Sequence, residues 1–222
     1  MLVQVWSDVV CPWCYIGKRR FEKAVDQLRA DESFDEEIEV VFRPFQLDPT
    51  APPGTSMPVA EAYARKFGGP ERAAAIIGHV SEVAAGEGLE FHLDRAKRAN
   101  TRDAHRLLGF AEEHGPPGTQ EAVKERLLAA YFVNGEDIGD HDLLVTAAGD
   151  AGLDVEAARA MLDSDAGVVE LRAALESAID KGITAVPTYV IDGRWSIPGA
   201  QDPDVFVQVI RRVAERSADR AG

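Results

Sequence analysis

Cys11-Pro12-Trp13-Cys14 holds the only two cysteines among 222 residues. Two thiols at this spacing can close a disulfide with each other, and a Cys-x-x-Cys near a β-α-β pattern reads as a thiol–disulfide redox site. The flanking residues predict that pattern. Residues 2–6 read as a buried strand, and Phe21, Ala24, Val25 and Leu28 repeat at helical spacing just beyond the motif. The pair therefore falls where a strand hands over to a helix. A helix start presents free backbone N–H groups and the positive end of the dipole. Both favour a thiolate, the nucleophilic form of cysteine. Pro12 suits a first helical turn, where its missing N–H has no partner to lose.

The elements that must hold this pair come from both ends of the chain. Ile38, Val40 and Phe42 alternate with Glu39, Val41 and Arg43, which predicts a half-buried strand ended by Pro44. Segment 48–58 carries four prolines and a glycine and reads as a loop. From there to about residue 180 the patterns are helical, with no convincing strand. Helices are expected over 59–67, stopped by Gly68-Gly69-Pro70, and over 71–85, ended by Gly86 and Gly88. Asn100 or Thr101 caps a third, with Asp103 in its first turn and Ala104, Leu107, Leu108 and Ala111 on its apolar face. Gly115-Pro116-Pro117-Gly118 breaks it, and Val123, Leu127, Leu128 and Tyr131 mark the next. Residues 154–162 and 165–180 give two more. Then the character changes. Residues 188–191 are β-prone, Asp192-Gly193 is a strong hairpin signal, and 194–197 form the return strand. Val205, Phe206, Val209, Ile210 and Val213 predict a closing amphipathic helix. The order is β-α-β, a helical block, then β-β-α. It implies an α/β fold in which the first and last parts share one four-stranded sheet. The expected domains are 1–57 plus 181–222 for the sheet and 58–180 for an all-helical insertion, whose final helix packs back toward the sheet.

Composition narrows the function classes. Hydrophobic residues make up 45% and charged residues 28%, so a sizeable core is expected and disorder is not. The net charge of −14 argues against a nucleic-acid partner, which needs a basic surface. The densest acidic run, 31–37, reads as a solvated loop before a strand. No segment reaches the roughly 18 apolar residues of a membrane helix. Met1 runs directly into the first strand with no leader pattern, so cytoplasmic placement is expected. A structural disulfide is disfavoured in that reducing compartment. A bond closing only Cys11 to Cys14 would also constrain little unfolded chain. Reactivity explains the pair better.

The order of elements, with this motif, resembles the thioredoxin fold interrupted by a helical insertion, as in the DsbA family. It is most similar to that family's cytoplasmic FrnE-like branch. The likeness rests on residues 8–18, Asp8-Val9-Val10-Cys11-Pro12-Trp13-Cys14-Tyr15-Ile16-Gly17-Lys18. It rests also on Asn100-Thr101 with Ala104-His105-Arg106-Leu107, and on Gly182-Ile183-Thr184-Ala185-Val186-Pro187-Thr188 running through Ile191-Asp192-Gly193 to Gly199-Ala200-Gln201. The resemblance implies that Cys11 is the exposed attacking thiol and Cys14 the more buried resolving one. It also implies a cis peptide before Pro187, although an X–Pro bond taken alone favours trans. Substrate would then lie against Pro12, Trp13, Val186 and Pro187, with the Val186 backbone pairing to an extended segment. Trp13 cannot carry a positive charge as histidine could, so a less oxidising pair is expected. Asp8 lies three residues before Cys11 and could assist proton transfer, but an exposed loop or capping role is expected. His105 is read as a packing or hydrogen-bonding residue rather than a catalytic one. Trp6 and Trp195 are expected in strands as core or groove aromatics, and Tyr15 beside the groove or packed.

The resulting expectation is a cytoplasmic oxidoreductase or disulfide isomerase acting on a peptide or small-molecule thiol or disulfide. It needs no cofactor and no metal, although glutathione could serve as co-substrate, and a homodimer is left open. The family also resembles 2-hydroxychromene-2-carboxylate isomerases and kappa-class glutathione transferases, which typically carry serine in place of Cys11. Retention of both cysteines favours dithiol chemistry over that alternative. A redox-independent holdase is a third reading. Zinc is the weakest, because structural sites use four ligands and no second pair accompanies the cysteines.

Overall fold

The computed structural model describes residues 1–52, 54 and 57–221, with side chains described through residue 217. Pro53, Thr55 and Ser56 of the expected proline-rich loop lie outside the described residues. The chain opens with strand β1 (Leu2–Ser7), helix α1 (Pro12–Arg29) and strand β2 (Glu39–Pro44). A two-residue strand β3 (Met57–Pro58) leads into α2 (Val59–Phe67) and α3 (Pro70–Gly86), and a matching β4 (Lys97–Arg98) precedes α4 (Arg102–His114). Next come α5 (Thr119–Ala129), a π-helical turn (Ala130–Asn134), α6 (His141–Asp150), α7 (Val155–Leu162) and α8 (Val168–Asp180). Strands β5 (Thr188–Ile191) and β6 (Trp195–Pro198) and helix α9 (Pro203–Ala221) close the chain. Among the described residues no helix is long and apolar enough to cross a membrane.

The main sheet has the order β2-β1-β5-β6, with β1 parallel to β2 and antiparallel to β5, and β5 antiparallel to β6. Alternation along the strands decides what each face covers. Val3, Val5, Tyr189 and Ile191 face α1 and α9, where they meet Phe21, Leu28, Phe206 and Ile210. Each such side chain contributes about 1.5–3 kcal/mol on burial. Trp6 and Val190 point to the other face, against Ala178 of α8 and Ile183. The β5–β6 turn places Asp192 at φ 47° and Gly193 at φ 67°, the two positive φ values that a tight hairpin of this kind demands.

Strand β2 is a sheet edge, and one side chain covers it at its middle. Gln120 of α5 accepts from Phe42 N at 2.8 Å and donates to Phe42 O at 3.0 Å, in the manner of a neighbouring strand. A glutamine so placed satisfies backbone groups that would otherwise invite another chain.

Three elements depart from the sequence expectation. The β3–β4 ladder (Met57 opposite Arg98, Pro58 opposite Lys97) joins the end of the segment read as a loop to the block expected to be helical only. Two residues are too few to display a strand period. Helix α6 was not anticipated; it buries Ala147 and Ala148 beside Leu144 and Val145, and Asp140 caps it through Asp142 N at 2.8 Å. The helix expected through Tyr131 widens into the π turn instead, which Gly135 ends at φ 70°. A side chain at Gly135 would place its Cβ 2.5 Å from Arg95 Cβ, so glycine is required there.

Candidate active site

Helix α1 starts at the cysteine motif. Cys11 is the N-cap, with extended backbone at φ −90° and ψ 113°, and Pro12 takes the first helical position. The Cys11 carbonyl accepts from Cys14 N at 3.0 Å and Tyr15 N at 3.4 Å. Both thiols are free. Cys11 Sγ donates to the Val186 carbonyl at 3.8 Å, and the Val186–Pro187 peptide is cis. Pro12, Trp13, Val186 and both thiols are thus gathered at one end of α1, with Trp13 38% exposed and its ring centroid 6.2 Å from that of His79.

Exposure does not separate the two cysteines as expected. Cys11 is 4% exposed and Cys14 3%. Their surroundings do separate them. Cys11 lines an open groove of about 740 Å³, whereas Cys14 is not among the groove's lining residues. Burial pushes the Cys14 thiol well above its usual pKa, and its hydrogen bond and charge interaction with Cys11 add to this. The positive charge of Lys124 and the Asp8 main-chain N–H oppose the shift.

Asp8 overturns the exposed-loop expectation, since it is fully buried. Its Oδ1 accepts from Val9 N at 2.8 Å and its Oδ2 from Leu47 N at 2.8 Å. His105 Nε2 lies 3.1 Å from Asp8 Oδ1 and 3.0 Å from Phe45 O. Both neighbours are acceptors, so Nε2 carries the hydrogen. His105 is therefore a hydrogen-bonding residue that clamps the approach to Cys11. Through it, α4 holds the end of β1 and the loop after β2 together.

Three further residues stand at the site: Lys124 and Tyr63, which the sequence does not single out, and Tyr131, which it marks only as a helix residue. Lys124 of α5 is 1% exposed, and its terminal nitrogen has no hydrogen-bond partner. Burial lowers its pKa, against the pull of Cys14, Asp8 and Cys11. Tyr63 of α2 lines the groove, and burial together with Cys11 pushes its phenol up to about 12, which leaves it a hydrogen-bond donor at neutral pH. Tyr131, placed by the π turn, lines the same groove. Tyr15 packs rather than lining it: its ring stacks on Phe91 with centroids 5.9 Å apart, and its hydroxyl donates to Glu125 at 2.7 Å. Trp6 is a core residue, and Trp195 lies under the Arg216 guanidinium at the far side of the sheet.

The groove has a charge of its own. Its apolar wall includes Val10, Met57, Val59, Phe67, Ile76 and Val80, and its charged lining comprises Arg65, Lys66, Arg98 and Asp48. Arg98 Nε donates to Asp48 Oδ2 at 2.8 Å. Among the described lining residues, cations outnumber the single carboxylate on a chain of net charge −14.

Gly17 sets how closely α1 approaches the cis-proline loop. A Cβ there would fall 2.8 Å from Tyr189 Oη, 3.0 Å from Pro187 Cγ and 3.3 Å from Ala200 Cβ. Gly17→Ala is expected to cost about 1–3 kcal/mol, the usual cost of overpacking. Urea unfolding of the variant checks this; a midpoint equal to wild type would show that the helix and the loop can part freely.

A reduced dithiol at the start of the first helix, beside a cis-proline loop on this sheet, defines a DsbA-like thioredoxin fold. The chain belongs to the DSBA-like thioredoxin domain family, which it matches over residues 2–211. A probable DsbA oxidoreductase of Streptomyces coelicolor, SCO1869, is 37% identical and superposes with a TM-score of 0.85 over 96% of this chain and 89% of that one. A 2-hydroxychromene-2-carboxylate isomerase shares the fold at 15% identity, with a TM-score of 0.71 over the full length of both chains. So does the cytosolic disulfide reductase DsbM of Pseudomonas aeruginosa, in a structure with GSH, at 16% identity and a TM-score of 0.65 over 97% of this chain and 100% of that one.

Proposed function

We propose that this chain is a cytoplasmic thiol–disulfide oxidoreductase in which Cys11 attacks and Cys14 resolves. The observation that carries the proposal is the asymmetry of the pair: one sulfur on the groove at a helix N-cap, the other one turn inward. The Cys11 thiolate attacks one sulfur of a substrate disulfide, and the other leaves as a thiolate that takes up a proton. Cys14 then attacks Cys11; the Cys11–Cys14 bond forms, and the bond from Cys11 to substrate breaks. The substrate is reduced to two thiols and the enzyme pair is oxidised. An external thiol reverses the pair's oxidation by the same exchange. Glutathione suits that role, since the cations of the groove complement its carboxylates. A peptide substrate would lie along Val186 and Pro187, with Pro12 and Trp13 at its flank.

Insulin reduction by wild type, Cys11→Ser and Cys14→Ser tests the proposal. Cys11→Ser is expected to fall to the uncatalysed rate, and Cys14→Ser to accumulate a mixed disulfide with substrate. Three proteins of equal activity would end the oxidoreductase reading. Full activity of Cys14→Ser toward a glutathione-dependent isomerisation would favour the isomerase class instead. Suppression of aggregation that survives loss of both thiols would favour a holdase.

A further inference from the structure

Lys124 raises a question that its helix does not answer. A buried amine without a partner is costly, because its desolvation is uncompensated. A methionine or leucine would fill the position on α5 at no such cost. The amine is 1% exposed, makes no hydrogen bond in the dithiol form, and stands over the Phe42 ring with Nζ 5.7 Å from its centroid. The charges it senses are Cys14 first, then Asp8 and Cys11, with Lys18 opposing. Lys18 itself is engaged elsewhere: it pairs with Glu22, with Glu125 at 3.0 Å and with Glu121 at 3.5 Å.

We propose that Lys124 is the proton acceptor that lets buried Cys14 become a nucleophile when substrate is released. The proposal rests on the dithiol reading above and names the group that its second step lacks. Cys14 must lose a proton in a place where water is excluded. Asp8 is poorly placed to take it, because its carboxylate already accepts from Val9 N, Leu47 N and His105 Nε2. His105 cannot take it on Nε2, which faces two acceptors. Lys124 has a free lone pair when neutral, no partner competes for it, and Cys14 is the foremost charge it senses.

The step balances within the protein. The proton passes from Cys14 Sγ to Lys124 Nζ, and the electron pair left on sulfur attacks Cys11 Sγ. The Cys11–Cys14 bond forms, the Cys11–substrate bond breaks, and the substrate sulfur departs as a thiolate. Lys124 then returns the proton to that thiolate or to solvent. Burial favours the exchange, because it lowers the lysine pKa and raises that of the thiol, bringing the two together. The charge interaction with Asp8 favours the transient ammonium.

The test is stopped-flow reaction of the reduced protein with a symmetrical aryl disulfide whose thiolate is coloured. The first equivalent released reports attack by Cys11, and the second reports resolution by Cys14. In wild type the second phase is expected to be nearly independent of pH from about pH 6 to 8, since the proton acceptor is internal. In Lys124→Met the first phase should stay within about twofold of wild type. The second should slow by about tenfold or more at neutral pH and rise by about tenfold per pH unit, following the thiolate fraction. Methionine fills the same space without a polar atom, so the fold is expected to survive. A second phase with the same rate and pH profile in both proteins overturns the role of Lys124. A wild-type second phase that rises steeply with pH overturns it without any variant. Release of one equivalent only by wild type would remove the dithiol reading itself, and the Lys124 role with it.

Discussion

Arg106→Met is expected to lower the free energy of unfolding by about 3–5 kcal/mol, the range for breaking a buried, hydrogen-bonded charge cluster by removing one member. Arg106 is 3% exposed, on the helix that also carries His105. Its guanidinium donates to Asp103 Oδ1 at 2.9 Å and to three carbonyls: Met161 O at 2.6 Å, Ser164 O at 2.6 Å and Ala166 O at 2.7 Å. Those carbonyls belong to the last turn of α7 and the loop before α8, so one side chain ties α4 to the end of the helical block. Methionine keeps much of the bulk but leaves every acceptor without this donor. Loss of about a fifth or more of a typical domain's stability follows. The cost also depends on pH. Burial works against the Asp103 carboxylate, but hydrogen bonds from His141, Arg106 and Arg102 outweigh it and lower its pKa to about 2. A carboxylate held below its unfolded value of about 3.9 adds stability that is present above that pH and is lost as pH falls through the folded value. The gap between wild type and Arg106→Met should therefore be full at pH 6 and narrow as pH falls from about 4 toward 2. Denaturant titrations at several pH values measure it; a pH-independent gap below 1 kcal/mol would show that the cluster is ornamental to stability.

The same cluster shows what the sequence could and could not reveal. Its stretch, Asn100 to Leu107, stood out by resemblance, but nothing local showed that Arg106 would reach carbonyls 55 to 60 residues away. The motif, the strands and the Asp192-Gly193 hairpin were legible because each is written in neighbouring residues: apolar alternation, a helix-start proline, a turn that needs positive φ. Asp8 was misread because its partners are not neighbours in this sense. Leu47 and His105 lie 39 and 97 residues on, and only the folded sheet brings their donors to its carboxylate. Lys124 is hidden in the sequence because apolar residues alone display the buried face of α5. Lys124 lies four residues after Gln120 and three and four before Leu127 and Leu128, and all four are buried. A lysine in register with leucines, on a helix with acidic residues at positions 121 and 125 to serve an outward face, was the available signal. Gly17 was quoted within the motif, yet its need for close approach to Pro187 and Tyr189 depends on a loop 170 residues further on.

Asp8→Ala is expected to destabilise the protein by about 3 kcal/mol or more, and Asp8→Asn by about half as much. Alanine strands Val9 N–H, Leu47 N–H and His105 Nε2–H in a site with no exposure, and each unsatisfied donor costs about 1–3 kcal/mol. Asparagine keeps one carbonyl oxygen, which at the Oδ1 position still accepts from Val9 N and His105 Nε2. Its amide NH2 must then confront Leu47 N–H, the donor that Oδ2 serves in the wild type. The step from wild type to Asn follows from hydrogen-bond polarity and not from volume, since asparagine is isosteric with aspartate; alanine adds the loss of the buried carboxyl volume. Urea unfolding of the three proteins separates these contributions, and Ala within 1 kcal/mol of wild type would show that the three donors find other partners. Chemistry should suffer with stability. Asp8 O accepts from Cys11 N at 3.4 Å, and the Asp8 main-chain N–H bears on the Cys14 sulfur, so the clamp fixes both ends of the dithiol. Loss of the carboxylate also removes the anion that Lys124 faces. The Asn variant, though folded, is therefore expected to resolve mixed disulfides more slowly while its first attack by Cys11 stays near wild type. That split between the two steps distinguishes a charge that serves Cys14 from a side chain that only holds the loop.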